Sequence, residues 1–362
     1  MPNQSTGPRR RGALQPPSEP KARTGESEVQ RFYEAEPYPD LGAKPKNPAR
    51  WLTPALAQLE ISPERPLRYL DAGCGTGHSV VGVALKHPDW AISAIDLSGP
   101  SLDVARELAA MHGATIDFRQ GSYLDPLPFE GSFDLIGSFG SVHHTPDPPG
   151  AVRNLLSALA PDGIFVMHLY GKDLDRGKFV IREALDILEP DITNVERRFA
   201  LYRELVDKQR PSLAARLLDL SPRVVLRGLR NLLRDARRAR GESWSPSWRI
   251  DFREPSSPWI DHFCHPLEKA YNVRNVEALA TAAGLEVITM LSQGREDLAR
   301  LPPNWRPLYD ALDRWDRRRL MELLDITARS VMLIGRKARL RGTQEDVPVG
   351  EDVSAGTKSA ST

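Results

Sequence analysis

Cysteine is scarce in this chain: 362 residues contain only 2, Cys74 and Cys264, with no CxxC spacing. A disulfide framework is therefore not the source of stability, and a reducing cytoplasm is the expected compartment. No apolar run is long enough to span a bilayer, and the basic N-terminus lacks the apolar core of a secretory signal. Charge of one sign is lacking too. The formal net charge of +1 argues against a general nucleic-acid or anionic-membrane binder, so any basic effect must be local. No internal repeat is visible.

What remains is a chain with 40% hydrophobic residues, enough for one large domain with a substantial insertion or two modest domains. Residues 1–27 and 341–362 are rich in polar, charged and small residues, and read as disordered tails. Between them runs an alternating pattern. Apolar strands are expected at 67–73, 90–98, 114–122, 133–141 and 164–171, and helices at 78–88, 101–113 and 149–163. This is the rhythm of parallel βαβ units in a doubly wound α/β sheet. It breaks after Gly171 and resumes with a helix–strand pair over 272–291, and a last strand follows at 329–337. The stretch 172–271 is thus expected to be a mainly helical insertion, a lid over substrate, inside a core of 65–171 and 272–340. Residues 28–64 precede the core as an N-terminal arm or lid.

The first strand runs into "LDAGCGTGHSV", with glycines at 73, 75 and 77 and His78 where a dinucleotide-binding loop would place its third glycine. No Lys-Ser/Thr follows to hold a nucleoside triphosphate. Asp96 ends the second strand, at the lip of the sheet, where a carboxylate can accept from both hydroxyls of a ribose.

The acid–glycine loop, the acid ending strand two, and "FDLIGSFGSVHHTPDPPGAVRNLLSALAPDGIFVMHLYG" together resemble the class I S-adenosylmethionine-dependent methyltransferases. "PYP" in the arm and "HP…Y" before strand six resemble a less characterised bacterial branch of that superfamily. The resemblance implies a seven-stranded sheet, mostly parallel with the last strand antiparallel, and S-adenosylmethionine as cofactor. It implies that Gly73, Gly75 and Gly77 bring the backbone close to the methionine part, that Asp71 orients the loop or meets the amino group, and that Asp96 grips the ribose. In the turn after strand three the family often carries an Asp for the adenine amino group. Ser122 stands there instead, so the contact falls to Ser122, the backbone or Tyr123. Ser138 and Phe139 are implied as the floor beneath the sulfonium.

His143 and His144 follow strand four at the carboxyl edge, and either suits a general base for an acceptor that loses a proton. The alternative is that one of them packs under the loop and orients it. On the acceptor side the candidates are Tyr33, Tyr38, Trp259 and His265, with plain packing as the competing explanation. His262, Cys264 and His265 do not have the spacing of a zinc site, so no metal is expected. The helix expected over 221–241 carries Arg223, Arg227, Arg230, Arg234 and Arg238 on one face and Val225, Leu229, Leu232 and Leu233 on the other. It reads as a solvated basic face or as a docking site for an anionic acceptor, RNA or a membrane surface. The aromatic stretch Trp244, Trp248, Phe252, Trp259 and Phe263 reads as a pocket lining or as the insertion's own core. The leading expectation is a methyltransferase acting on a small organic acceptor under the insertion. The alternatives are a tRNA or protein acceptor docked by the Arg-rich helix, and a non-catalytic cofactor-binding regulator.

Overall fold

The computed structural model describes residues 25–59, 65–172, 176–208, 252–291, 301–324 and 330–338. The Arg-rich stretch 221–241, Trp244, Trp248 and the C-terminal tail lie outside the described residues. Seven strands form one sheet in the order β3-β2-β1-β4-β5-β7-β6. They are β1 (Arg68–Ala72), β2 (Ala91–Asp96), β3 (Asp117–Gln120), β4 (Phe133–Phe139), β5 (Leu159–Tyr170), β6 (Leu285–Leu291) and β7 (Ser330–Lys337). The pairings among β1 to β5 are parallel, and β7 runs antiparallel between β5 and β6. The expected seven-stranded mixed sheet is the observed one.

The central strands are buried on both faces, and successive side chains serve opposite layers. Leu70, Ile136 and Phe165 face a core shared with α5 (Pro148–Ser157) and α9 (Val273–Ala283). Tyr69, Leu135 and Val166 face the other way, onto α2 (Ala49–Leu56) and α3 (His78–Lys86). Helix starts follow local chemistry. Ser98 caps α4 (Gly99–Met111) by accepting from the Ser101 amide at 3.2 Å, and Asp147 caps α5 from the Gly150 amide at 2.9 Å. Two boundaries differ from the sequence reading. Helix α5 stops at Ser157 and β5 is already extended at Leu159, because Pro161 and Gly163 do not continue a helix; the β4–β5 register shifts between Phe133 and Leu135. Strand β3 keeps only four residues, as befits an edge strand with little buried surface.

The N-terminal tail also ends earlier than expected. Helix α1 (Glu26–Ala35) begins within the stretch read as disordered, held there by a hydrogen bond from the Ser122 hydroxyl to Glu26. Between β5 and α9 the described residues form α6 (Arg176–Leu188), α7 (Val195–Lys208) and α8 (Ser257–Cys264). Ile181, Leu185, Tyr202, Trp259 and Phe263 give these helices their own core. Arg198 crosses it fully buried, donating to Asp186 Oδ1 at 2.5 Å and to the Phe263 carbonyl at 2.8 Å. The excursion leaves and re-enters at one neck, where the Tyr271 amide donates to the Tyr170 carbonyl at 2.9 Å and the Lys172 amide to the Tyr271 carbonyl at 2.7 Å. Among the described residues, two short α-helices, α10 (Arg306–Ala311) and α11 (Arg314–Leu323), lie between β6 and β7. Among the described residues no helix is long and apolar enough to cross a membrane.

Candidate active site

The carboxyl ends of β1, β2, β4 and β5 open onto one cavity of about 640 Å³, within the usual size of a small-molecule site. The glycine loop forms its floor. Gly73 and Gly75 take left-handed φ values of 78° and 52°, conformations that disfavour any side chain. Space forbids one as well. A Cβ on Gly73 would stand 2.4 Å from Ser141 Cβ, and one on Gly75 would stand 2.3 Å from the Tyr38 carbonyl oxygen. Gly77 serves packing instead: a Cβ there would meet Ala105 of α4 at 2.8 Å, and Gly77 does not reach the cavity.

Two carboxylates stand behind this loop. Asp96 lines the cavity while accepting from the Gly75 amide at 2.7 Å and the Ser98 amide at 2.9 Å. Burial raises its pKa, and those amides pull the other way. Asp71 also lines the cavity, yet its Oδ2 is buried and has no partner among the described residues. Burial foremost, then the charge of Asp96, pushes its pKa up to about 7; Tyr69 and Lys46 oppose the rise. Lys46 is a cavity residue whose own pKa burial lowers.

The N-terminal arm is stitched across the loop. Thr76 donates from its amide to the Tyr38 carbonyl at 3.2 Å and from its hydroxyl to the Pro39 carbonyl at 2.6 Å. Ser98 Oγ donates to the Tyr33 carbonyl at 2.9 Å. His78, the residue that departs from the dinucleotide pattern, faces the Lys44 carbonyl through Nδ1 at 3.0 Å, and the Lys46 amide donates to the His78 carbonyl at 2.8 Å. The cavity wall thus includes Glu26 at the start of α1 and Tyr33 and Tyr38 of the arm, beside Ser122 and Tyr123 from the turn after β3.

The far wall belongs to the end of β5 and the helices beyond it, through Tyr170, Lys178, Phe252 and His262. Asp261, buried, accepts from the Tyr33 hydroxyl at 3.0 Å and from the Tyr170 hydroxyl at 3.3 Å. Lys178 lies 4.3 Å from the centre of the Tyr170 ring and pairs with Glu268, which also accepts from Arg182 at 2.9 Å. Both Lys178 and Glu268 side chains are 1% exposed. His144 reaches the cavity. Its Nδ1 faces the Leu267 carbonyl at 2.9 Å, so Nδ1 carries the proton and Nε2 the lone pair, and Nε2 has no partner among the described residues. Burial lowers its pKa, opposed by Asp261 and Glu268, and so favours the neutral ring.

Several residues singled out from sequence lie elsewhere. His143 is fully buried behind His144, with ring centroids 4.1 Å apart, and does not line the cavity; burial drives its pKa well below the ordinary value. Ser138 is buried under the loop at 2.8 Å from Ser141 Oγ, while its neighbour Phe139 lines the cavity. Trp259 is enclosed among Phe199, Tyr202 and Phe263 in the helical core. His265 stacks behind His144 at 3.8 Å between centroids and accepts from the Leu267 amide at 3.1 Å. Cys264 is buried in the same helical core. Conversely, Glu26, Lys46, His168, Tyr170, Lys178 and Asp261 carry no spacing signal, and only the fold brings them to the site or against it. Among the described residues no group of three or more His, Cys, Asp or Glu could hold a metal ion.

Comparison with known proteins places this geometry in a family. Residues 63–212 match a family model described as a methyltransferase domain. The chain is 31% identical over 311 residues to an uncharacterized protein of Synechococcus sp., covering 82% of this chain and 68% of that protein. It is 29% identical over 147 residues to the ubiquinone biosynthesis O-methyltransferase of Actinobacillus pleuropneumoniae, covering 39% of this chain and 62% of that enzyme. The structure of PKMT2 from Rickettsia typhi in complex with AdoHcy superimposes with a TM-score of 0.59 at 15% identity, over 84% of this chain. This chain spans 55% of the Rickettsia protein's length, and the likeness is one of fold. With the glycine loop, the Asp96 lip and the sheet order, these matches make the chain a member of the class I S-adenosylmethionine-dependent methyltransferase superfamily and an S-adenosylmethionine-dependent methyltransferase.

Proposed function

We propose that this methyltransferase acts on a small organic acceptor held between the cofactor and the helices that follow β5. The observation that carries the reading is that one cavity of about 640 Å³ is walled at once by the glycine loop, the N-terminal arm and residues of the 172–271 stretch. In this reading that stretch is the substrate lid, 28–64 is the arm over the cofactor, and 65–171 with 272–340 is the core.

The cofactor suits the groups present. The unpartnered Oδ2 of Asp71 is a buried acceptor suited to the ammonium of the methionine part. Gly73 and Gly75 would let the backbone approach that part of the ligand, and Asp96 would accept from the ribose hydroxyls. Ser122 and Tyr123 would hold the base, and Phe139 would contact the sulfonium end. S-adenosylmethionine supplies an electrophilic methyl group on a sulfonium, and in-line displacement makes orientation the main task of the protein. On the acceptor side, Tyr33, Tyr38 and Tyr170 present aromatic faces and hydroxyls, and Asp261 fixes two of these hydroxyls from behind. The His144 ring at the cavity wall takes the proton that an oxygen or nitrogen acceptor releases, and Asp261 and Glu268 favour the resulting cation. His143 and His265 hold the His144 ring, and Trp259 packs α8 against Phe199 and Tyr202 of α7; these three position and do not touch substrate.

The name of the Actinobacillus relative, an O-methyltransferase of ubiquinone biosynthesis, is in keeping with an organic acceptor. The test is transfer from methyl-labelled cofactor into cell extract, followed by separate RNase, protease and small-molecule filtration arms. Label in the small-molecule fraction supports the proposal. Label removed only by RNase or only by protease overturns it in favour of a tRNA or protein acceptor, with the 221–241 stretch as the surface to examine.

A further inference from the structure

Helix α1 places a carboxylate, Glu26, in the cavity wall beside the turn that follows β3. Its only hydrogen-bond partner among the described residues is the Ser122 hydroxyl. That hydroxyl is also an acceptor, taking the Leu124 amide at 3.0 Å, so its proton is committed to Glu26. Ser122 is thereby a support for the carboxylate, and the acceptor capacity at this corner belongs to Glu26.

The sheet order says which part of the cofactor reaches this corner. From the β5 side inward, the edge presents the acceptor wall (Tyr170, Lys178), the glycine loop after β1, Asp96 at β2 and Ser122 after β3. The reacting methyl must face the acceptor wall, so with the ribose on Asp96 the base lies toward β3. Val29, Leu97 and Tyr123 surround that end of the cavity with apolar surface, and Glu26 is the carboxylate set among them. This rests on the orientation given under Proposed function, but not on the identity of the acceptor.

We propose that Glu26, supplied by the first turn of α1, recognises the adenine by accepting from its 6-amino group. A carboxylate in the first turn of a helix also complements the helix dipole, and the experiment separates the two roles. Binding of S-adenosylhomocysteine is compared with binding of S-inosylhomocysteine, in which a carbonyl oxygen replaces the amino group, by calorimetry on the full chain. Wild type should prefer the adenine ligand by about ten- to a hundredfold, the worth of a hydrogen bond to a charged group. In Glu26→Gln, whose amide can donate to the carbonyl, the preference should vanish or reverse. Glu26→Ala should bring the ratio toward one. A ratio unchanged from wild type in Glu26→Gln and Glu26→Ala would leave Glu26 as a helix and turn support and overturn the proposal. A wild type that binds both ligands equally would overturn it too, while leaving the cofactor site itself intact. Failure of wild type to bind either ligand would instead remove the cofactor orientation on which the proposal stands.

Discussion

Asp71→Asn should stabilise the ligand-free protein and weaken its hold on the cofactor. The carboxyl titrates near 3.8 as an ordinary group and at about 7 in the fold, chiefly because it is buried. Between those values the folded chain keeps a proton that the unfolded chain has released. Stability on this account therefore falls as pH rises across the window, by about 1.4 kcal/mol per unit and about 4 kcal/mol in all. The full cost is present at pH 8 and absent below pH 4. Asparagine cannot ionise, so the variant should exceed wild type at pH 8 by up to about 4 kcal/mol and approach it in acid. At roughly 2–4 °C per kcal/mol for a chain of a few hundred residues, calorimetric or fluorescence melts resolve this easily. Cofactor binding should move the other way. An ammonium beside Asp71 needs the ionised form, so wild-type affinity for S-adenosylhomocysteine should rise from pH 6 to pH 8. The variant should lose about ten- to a hundredfold at pH 8 and show little of that rise. An Asp71→Asn protein that melts below wild type at pH 8, or that keeps both the affinity and its pH dependence, would refute the assignment of Asp71 Oδ2 as a buried acceptor awaiting a cation.

Gly75→Ala combines a left-handed backbone with a Cβ 2.3 Å from the Tyr38 carbonyl. It should cost at least about 1–2 kcal/mol, displace the arm, and speed limited proteolysis near Tyr38 while lowering cofactor affinity. Glu268→Ala removes the partner of a Lys178 side chain that is 1% exposed. Urea unfolding should report a loss of about 3–5 kcal/mol, whereas an unaltered midpoint would show that Lys178 finds water or another acceptor. His144→Asn should reduce methyl transfer into the labelled fraction by about a hundredfold or more while leaving S-adenosylhomocysteine binding unchanged. Equal losses of binding and transfer would assign His144 to cofactor binding instead.

Much of the fold was legible because its signals are local. The strand runs of β1 and β4 and the alternation of strands with helices each depend on neighbours a few residues away. The loop at Gly73–Gly77 and Asp96 are legible for the same reason, since a backbone that must accept a close approach can be built only from a few residue types. The departure at His78 was visible in sequence, but its partner, the Lys44 carbonyl, was not.

The acceptor side followed other rules. Tyr33 and Asp261 are joined by one hydrogen bond across a sequence separation of 228 residues, and Ser122 and Glu26 across 96. Neither pair leaves a periodicity or spacing in the chain. Trp259 and His265 carry chemistry suited to a pocket, but packing turned the first into the helical core and the second behind His144. Both rings of the histidine pair are buried, and only the folded cavity separates the one that lines it, His144, from the one behind it, His143. The sequence by itself determined the sheet, the loop and hence the methyl donor, because those rest on backbone conformation and short-range pattern. Which other side chains line the cavity beside that loop, only the tertiary structure decided. Those contacts exist because distant segments are packed into one cavity and desolvated together.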